Sequence, residues 1–187
     1  MRFSQQLTAF AAAAAATLAS ANSITFVNQD ATQRTIVFTP NAGLQQIKPV
    51  IIAGLAQTKV NFPDGWVGNA YSVSAGAPNV PGMLAEVTFQ GWQGLTYFDV
   101  SAIVNPNDHN GVKELFPTSE QSAKEKKVIS GCALFPCSKA YYHPDDVQTV
   151  TTLAEDLMCT LGNPPNNAVA RDVEVELVAR KFVLGKF

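Results

Sequence analysis

Residues 84–101, LAEVTFQGWQGLTYFDVS, limit what this chain can become more than any other stretch. Apolar and polar residues alternate on both sides of a central GWQG, the pattern of two half-buried strands joined by a tight turn. With Gly91 to Gly94 as the loop, Gln90 faces Leu95, Thr88 faces Tyr97 and Glu86 faces Asp99. Ala85, Val87, Phe89, Phe98 and Val100 then share the core face. Glu86, Thr88, Tyr97 and Asp99 share the opposite, wet face. Like charges directly opposed across a ladder repel. On an open wet face that repulsion costs little, so two opposed carboxylates mark a candidate binding face.

The same vocabulary runs through most of the chain. SITFVNQD and RTIVFTP read as two strands with a turn between them, and VIIAGLAQTKVNFP as two short apolar runs broken near Gly54. DGWVGNAYSVSAG carries a Gly-Trp turn into another β-rich run. DVSAIVNPNDHNGV is a polar loop of the kind that presents functional groups, and PTSEQSAKEKKVISG is a charged insertion whose KEKK run reads as a solvated, flexible loop. TVTTLAEDLMC suits either a helix or a β-branched strand. Short strands punctuated by Gly and Pro predict an all-β sandwich of one domain, residues 22–162. After Gly162, NPPNN has the composition of a linker. DVEVELVARKF alternates like a half-exposed strand, so residues 163–187 form either an appended tail or an extra strand.

The first 21 residues read as a secretory signal, with Arg2, the apolar run LTAFAAAAAATLA and a small-residue site at Ala19-Ser20-Ala21. No stop-transfer charges follow, so cleavage and secretion are expected, without membrane insertion. The remainder is long enough for one domain with a real core. The formal charge of −2 becomes more negative once Arg2 is removed, which disfavours nucleic acid and anionic lipid as partners. Three cysteines, Cys132, Cys137 and Cys159, leave at least one thiol unpaired within the chain. Their spacing does not suit zinc. No Asn-x-Ser/Thr sequon is present, and no cofactor is expected.

Four stretches together are similar to the thaumatin-like family, in the form of a small, cysteine-poor, fungal-type secreted member. ITFVN at 24–28 resembles its opening strand, and NFPDGWVGNAYS at 61–72 its Pro-x-Gly turn and following strand. MLAEVTF with YFDVS resembles the family's LAEFT and YDVS pair, the most specific of the matches. CSKAYYHPDD at 137–146 resembles its C-terminal CPDAYSYPxDD. The resemblance spans roughly residues 24–160 and implies a thaumatin-like β-sandwich. The disulfide-rich second domain would be largely missing, which turns the family's acidic cleft into a shallow groove or open face. Glu86 and Asp99 match the carboxylates of that cleft, where β-1,3-glucans bind and are in some members cut. Asp108 matches a further cleft aspartate approximately. Asn79 stands where the family has an arginine. The resemblance also implies a Cys132–Cys159 disulfide with Cys137 a free, buried thiol; a Cys132–Cys137 bridge is the alternative.

The expected function is therefore binding of cell-wall β-1,3-glucan on an acidic face made by Glu86, Asp99 and Asp108, with Tyr97 and Trp92 as stacking aromatics. Trp66, Tyr141 and Tyr142 are further aromatic candidates. A second reading is a secreted effector or elicitor, recognised by a host surface protein through contact alone. A third is a weak endo-β-1,3-glucanase, since opposed Cβ atoms lie roughly 5 Å apart, nearer the carboxylate spacing of retaining than of inverting enzymes. Asp108 with His109, and His143 with Asp145 and Asp146, show no metal-ligand spacing and read as ordinary loop residues. A monomer is expected.

Overall fold

The computed structural model describes residues 22–118 and 128–164. The signal-like segment 1–21, most of the charged insertion (119–127) and the tail from 165 onward lie outside the described residues. Among the described residues eleven strands form two sheets. In chain order they are β1 (Ser23–Asn28), β2 (Arg34–Pro40), β3 (Val50–Ile52), β4 (Gln57–Asn61), β5 (Val67–Ser74), β6 (Leu84–Thr88), β7 (Thr96–Ser101), β8 (Val112–Pro117), β9 (Ser130–Gly131), β10 (Val150–Thr152) and β11 (Asp156–Leu161). One sheet runs β4-β1-β11-β8-β9 and the other β10-β7-β6-β5-β2-β3. No α-helix occurs among the described residues, and none of their segments is a helix long and apolar enough to cross a membrane.

The strand patterns explain the layers. In β2, Ile36 and Phe38 point inward while Thr35 and Val37 stay half-exposed, the alternation of a strand with one wet face. β1 and β11 are instead buried along nearly their whole length. They pair in parallel at the centre of the five-stranded sheet, Phe26 opposite Cys159. Their outer face is covered by a small cluster of Val27, Phe116 and Met158 with Ile129. TVTTLAEDLMC is strand, not helix. Its first part is β10 at the edge of one sheet, and after a short link its second part enters the other sheet as β11. The Thr-rich, β-branched composition favours extended backbone.

Between the sheets lies one main core, in which Phe26, Phe38, Phe62, Phe89 and Trp66 pack ring to ring at centroid separations from 4.8 to 5.8 Å. Trp66 is thus a core residue, 1% exposed, with its indole N–H donating to the Gln45 carbonyl at 3.0 Å. It is not a surface aromatic; the turn before β5 carries the ring under the sheet.

The expected disulfide is corrected. Cys132 bonds to Cys137, with Cα atoms 6.6 Å apart, and Cys159 is the free thiol, wholly buried. The reason is positional. Cys159 sits mid-strand between β1 and β8 with its side chain in the core. Cys132 and Cys137 lie together in the half-exposed loop after β9. Burial pushes the Cys159 thiol far above its ordinary range, so it behaves as a small apolar side chain.

Candidate functional site

The hairpin forms in the expected register: Thr88 faces Tyr97 and Glu86 faces Asp99. Its loop is a 3-10 turn, Trp92–Gly94, closed by the Gly91 N–H donating to the Leu95 carbonyl at 2.8 Å. Gln93 and Gly94 take positive φ of 59° and 72°. Ala85, Val87, Phe89, Phe98 and Val100 are all buried. The two carboxylates therefore stand side by side on the outer face of the six-stranded sheet.

They belong to a longer row. Thr39 of β2 lies level with Asn69 of β5, Asn69 with Glu86 of β6, and Glu86 with Asp99 of β7. Thr149, just before β10, completes it, its hydroxyl donating to Asp99 Oδ2 at 3.4 Å. Asn69, Glu86, Asp99 and Thr149, an amide, two carboxylates and a hydroxyl, are thus aligned across β5, β6, β7 and the residue before β10. They line an open groove of about 290 Å³ with Asn41, Val67, Thr88 and Tyr97. Asn41, Asn69 and Thr149 carried no sequence motif. Only the strand order brings them to the pair, although the outward position of Asn69 follows from the alternation of β5.

Asp99 is the unusual member. Its Oδ1 is buried and, among the described residues, has no hydrogen-bond partner. Burial, then the charge of Glu86, then a hydrogen bond to Glu86 push its carboxyl up to about 7, against the Thr149 hydroxyl. A proton on Asp99 would turn an orphaned acceptor into a donor toward Glu86. Near neutrality the pair then shares one proton between its two carboxyls and leaves its remaining oxygens as acceptors beside the groove. That suits hydroxyl-rich ligands, and it is also the asymmetry an acid–base pair requires.

The other expected residues are placed differently. Tyr97 lines the groove, and its phenol donates to the Trp92 carbonyl at 3.2 Å. Trp92 stands outside the groove at the hairpin tip, 74% exposed. Asp108 is not part of this site. It lines a separate pocket and accepts the backbone N–H groups of Met83, Asn110 and Gly111. Tyr141 reaches the row through its hydroxyl, 2.8 Å from that of Thr149. The Tyr142 hydroxyl accepts from the Cys137 N–H. Asp146 accepts the N–H groups of Tyr142 and His143 and organises its own loop. Among the described residues no three His, Cys, Asp or Glu side chains are placed to hold a metal.

No family model matches the chain. Over 140 residues, 75% of this chain and 94% of the relative, it is 51% identical to the antigenic protein SchS21 of Stachybotrys chartarum. Its fold is similar to that of the protein elicitor MoHrip2 from Magnaporthe oryzae. The TM-score is 0.57 at 13% identity, over 76% of this chain and 99% of the other.

Proposed function

Because the chain belongs to the family of the antigenic protein SchS21, we propose that it acts outside the producing cell as an effector or elicitor, recognised by another organism through protein contact. The observation that carries this reading is the 51% identity to a protein named for being recognised as an antigen. The fold shared with a protein named as an elicitor is compatible with it, and so is the signal-like segment ahead of Asn22. Recognition of this kind requires a stable surface and no chemistry. The test is to apply purified folded protein to leaf tissue and follow the oxidative burst against a heat-unfolded control. A burst from the folded protein alone is expected. Equal responses to both samples, or none, would remove the reading.

A second reading has its own support in the groove. The row Asn69, Glu86, Asp99 and Thr149, with Tyr97 beside it, suits a hydroxyl-rich chain such as cell-wall β-1,3-glucan. The resemblance of LAEVTF and YFDVS to the thaumatin-like pair points the same way. Co-sedimentation with insoluble β-1,3-glucan tests it: Glu86→Gln with Asp99→Asn should leave the protein folded and lower the bound fraction. Release of reducing sugar in the same incubation separates binding from weak hydrolysis.

A further inference from the structure

A second concavity, of about 220 Å³, opens where the apolar core gives way to charge at one end of the sandwich. At its floor is Arg34, the first residue of β2 and 1% exposed. A guanidinium has five N–H donors, and all five are used. Nε donates to Asn28 Oδ1 at 3.1 Å, Nη1 to the Ser72 and Ser74 hydroxyls at 3.4 and 3.2 Å, and Nη2 to Asp30 at 2.7 Å and Asn110 Oδ1 at 3.1 Å. Arg34 has nothing left for an anion. What it does is orient its neighbours. Ser72 and Ser74 accept from it, so their O–H hydrogens remain. Asn110 Oδ1 is taken by Arg34 and by the Asn163 amide, so its Nδ2 remains. Among the described residues these donors have no protein acceptor.

Facing them is Asp108. Its Oδ1 accepts the N–H groups of Asn110 and Gly111 at 3.0 and 2.9 Å, and Oδ2 that of Met83 at 2.8 Å. Oδ2 keeps a free lone pair. Gly82 and Gly111 make this close approach possible, because a Cβ on either would lie 1.9 or 2.3 Å from Oδ2. Another side of the pocket is apolar, formed by Ala77, Pro78 and Val80 of the β5–β6 loop. Of the residues that line the pocket the charged ones are Arg34 and Asp108, one of each sign.

Free donors, one free carboxylate lone pair, an aliphatic wall and no net charge describe a site for a neutral ligand with several hydroxyls. The volume lies below the roughly 300 Å³ at which drug-sized sites begin, and suits an occupant of one ring. We propose that this pocket binds a single neutral sugar unit of hexose size, at a site separate from the acidic groove. The hydroxyls of Ser72 and Ser74 and the amide of Asn110 donate to it, Asp108 accepts from it, and its C–H face lies on Ala77, Pro78 and Val80.

Ligand-observed saturation-transfer NMR with glucose, mannose and N-acetylglucosamine tests this directly. At least one should receive saturation from the wild-type protein. Ala77→Trp and Val80→Trp lie on the exposed rim, leave the Arg34 network untouched and fill the mouth with an indole. Each should lower the signal by about fivefold or more, equivalent to about 1 kcal/mol of binding. The Glu86→Gln/Asp99→Asn protein should retain it. No transfer to any of the three sugars overturns the proposal. So does transfer that survives both rim substitutions, or transfer that depends on Glu86 and Asp99.

Discussion

Asp99→Asn should make the protein more stable at alkaline pH and leave it nearly unchanged at acidic pH. Asp99 is pushed from the usual carboxylate value of 3.8 up to about 7, by burial first and by Glu86 second. A carboxyl raised on folding binds its proton more tightly in the native state. Its contribution to stability is complete below the unfolded value and is lost as pH rises through the folded one. Roughly three units at about 1.4 kcal/mol each set a ceiling of about 4 kcal/mol. Between pH 5 and 8.5 the wild-type protein should lose about 2–3 kcal/mol of that, and less where solvent in the groove screens the pair. Asparagine keeps the shape, cannot ionise, and offers Glu86 the N–H donor that the protonated acid supplies. Urea denaturation of both proteins at pH 5, 7 and 8.5 measures the difference, and the comparison cancels the titrating groups that do not interact with the Glu86–Asp99 pair. A difference that stays constant across the three pH values would refute the reasoning, because it would mean Asp99 ionises alike in the folded and unfolded chain.

Other expectations concern single contacts. Trp92→Ala should change stability by less than about 0.5 kcal/mol, because the indole is 74% exposed. A drop of 3–5 kcal/mol, the usual cost of truncating a core aromatic, would place it in the core instead. Arg34→Met should cost about 3–5 kcal/mol in urea denaturation, since it strands Asp30 and four other acceptors of the guanidinium; a loss below about 1 kcal/mol would show that water replaces it freely. Replacing Cys132 and Cys137 by serine should cost only about 2 kcal/mol, because the bridge closes a very short loop. Non-reducing peptide mapping should show Cys159 alkylated only after unfolding, and any peptide linked through Cys159 would contradict the assigned pairing.

The hairpin was legible because a strand has a period of two. Once GWQG is taken as the turn, each side chain from Ala85 to Val100 is assigned to a face, and Glu86 must meet Asp99. The same period, with Gly and Pro as punctuation, determined an all-β chain of short strands. Residue order along the chain could not show which strands lie next to one another, because hydrogen-bonded neighbours in these sheets are often far apart in sequence. β1 pairs with β11, and Thr149 reaches Asp99 only because β10 crosses back to the edge beside β7. The pairing of consecutive strands β5 and β6 added Asn69 to the acidic pair, and the long-range pairing added Thr149. It also carried Asp108 away to the Arg34 pocket. Cysteine pairing failed for the same reason: the resemblance joined Cys132 to Cys159, but a mid-strand side chain aimed into the core cannot reach a loop at the surface. Alternation, a property of the local backbone, is written in the sequence; adjacency of distant strands, and the solvent each side chain loses to it, is decided only when the two sheets pack.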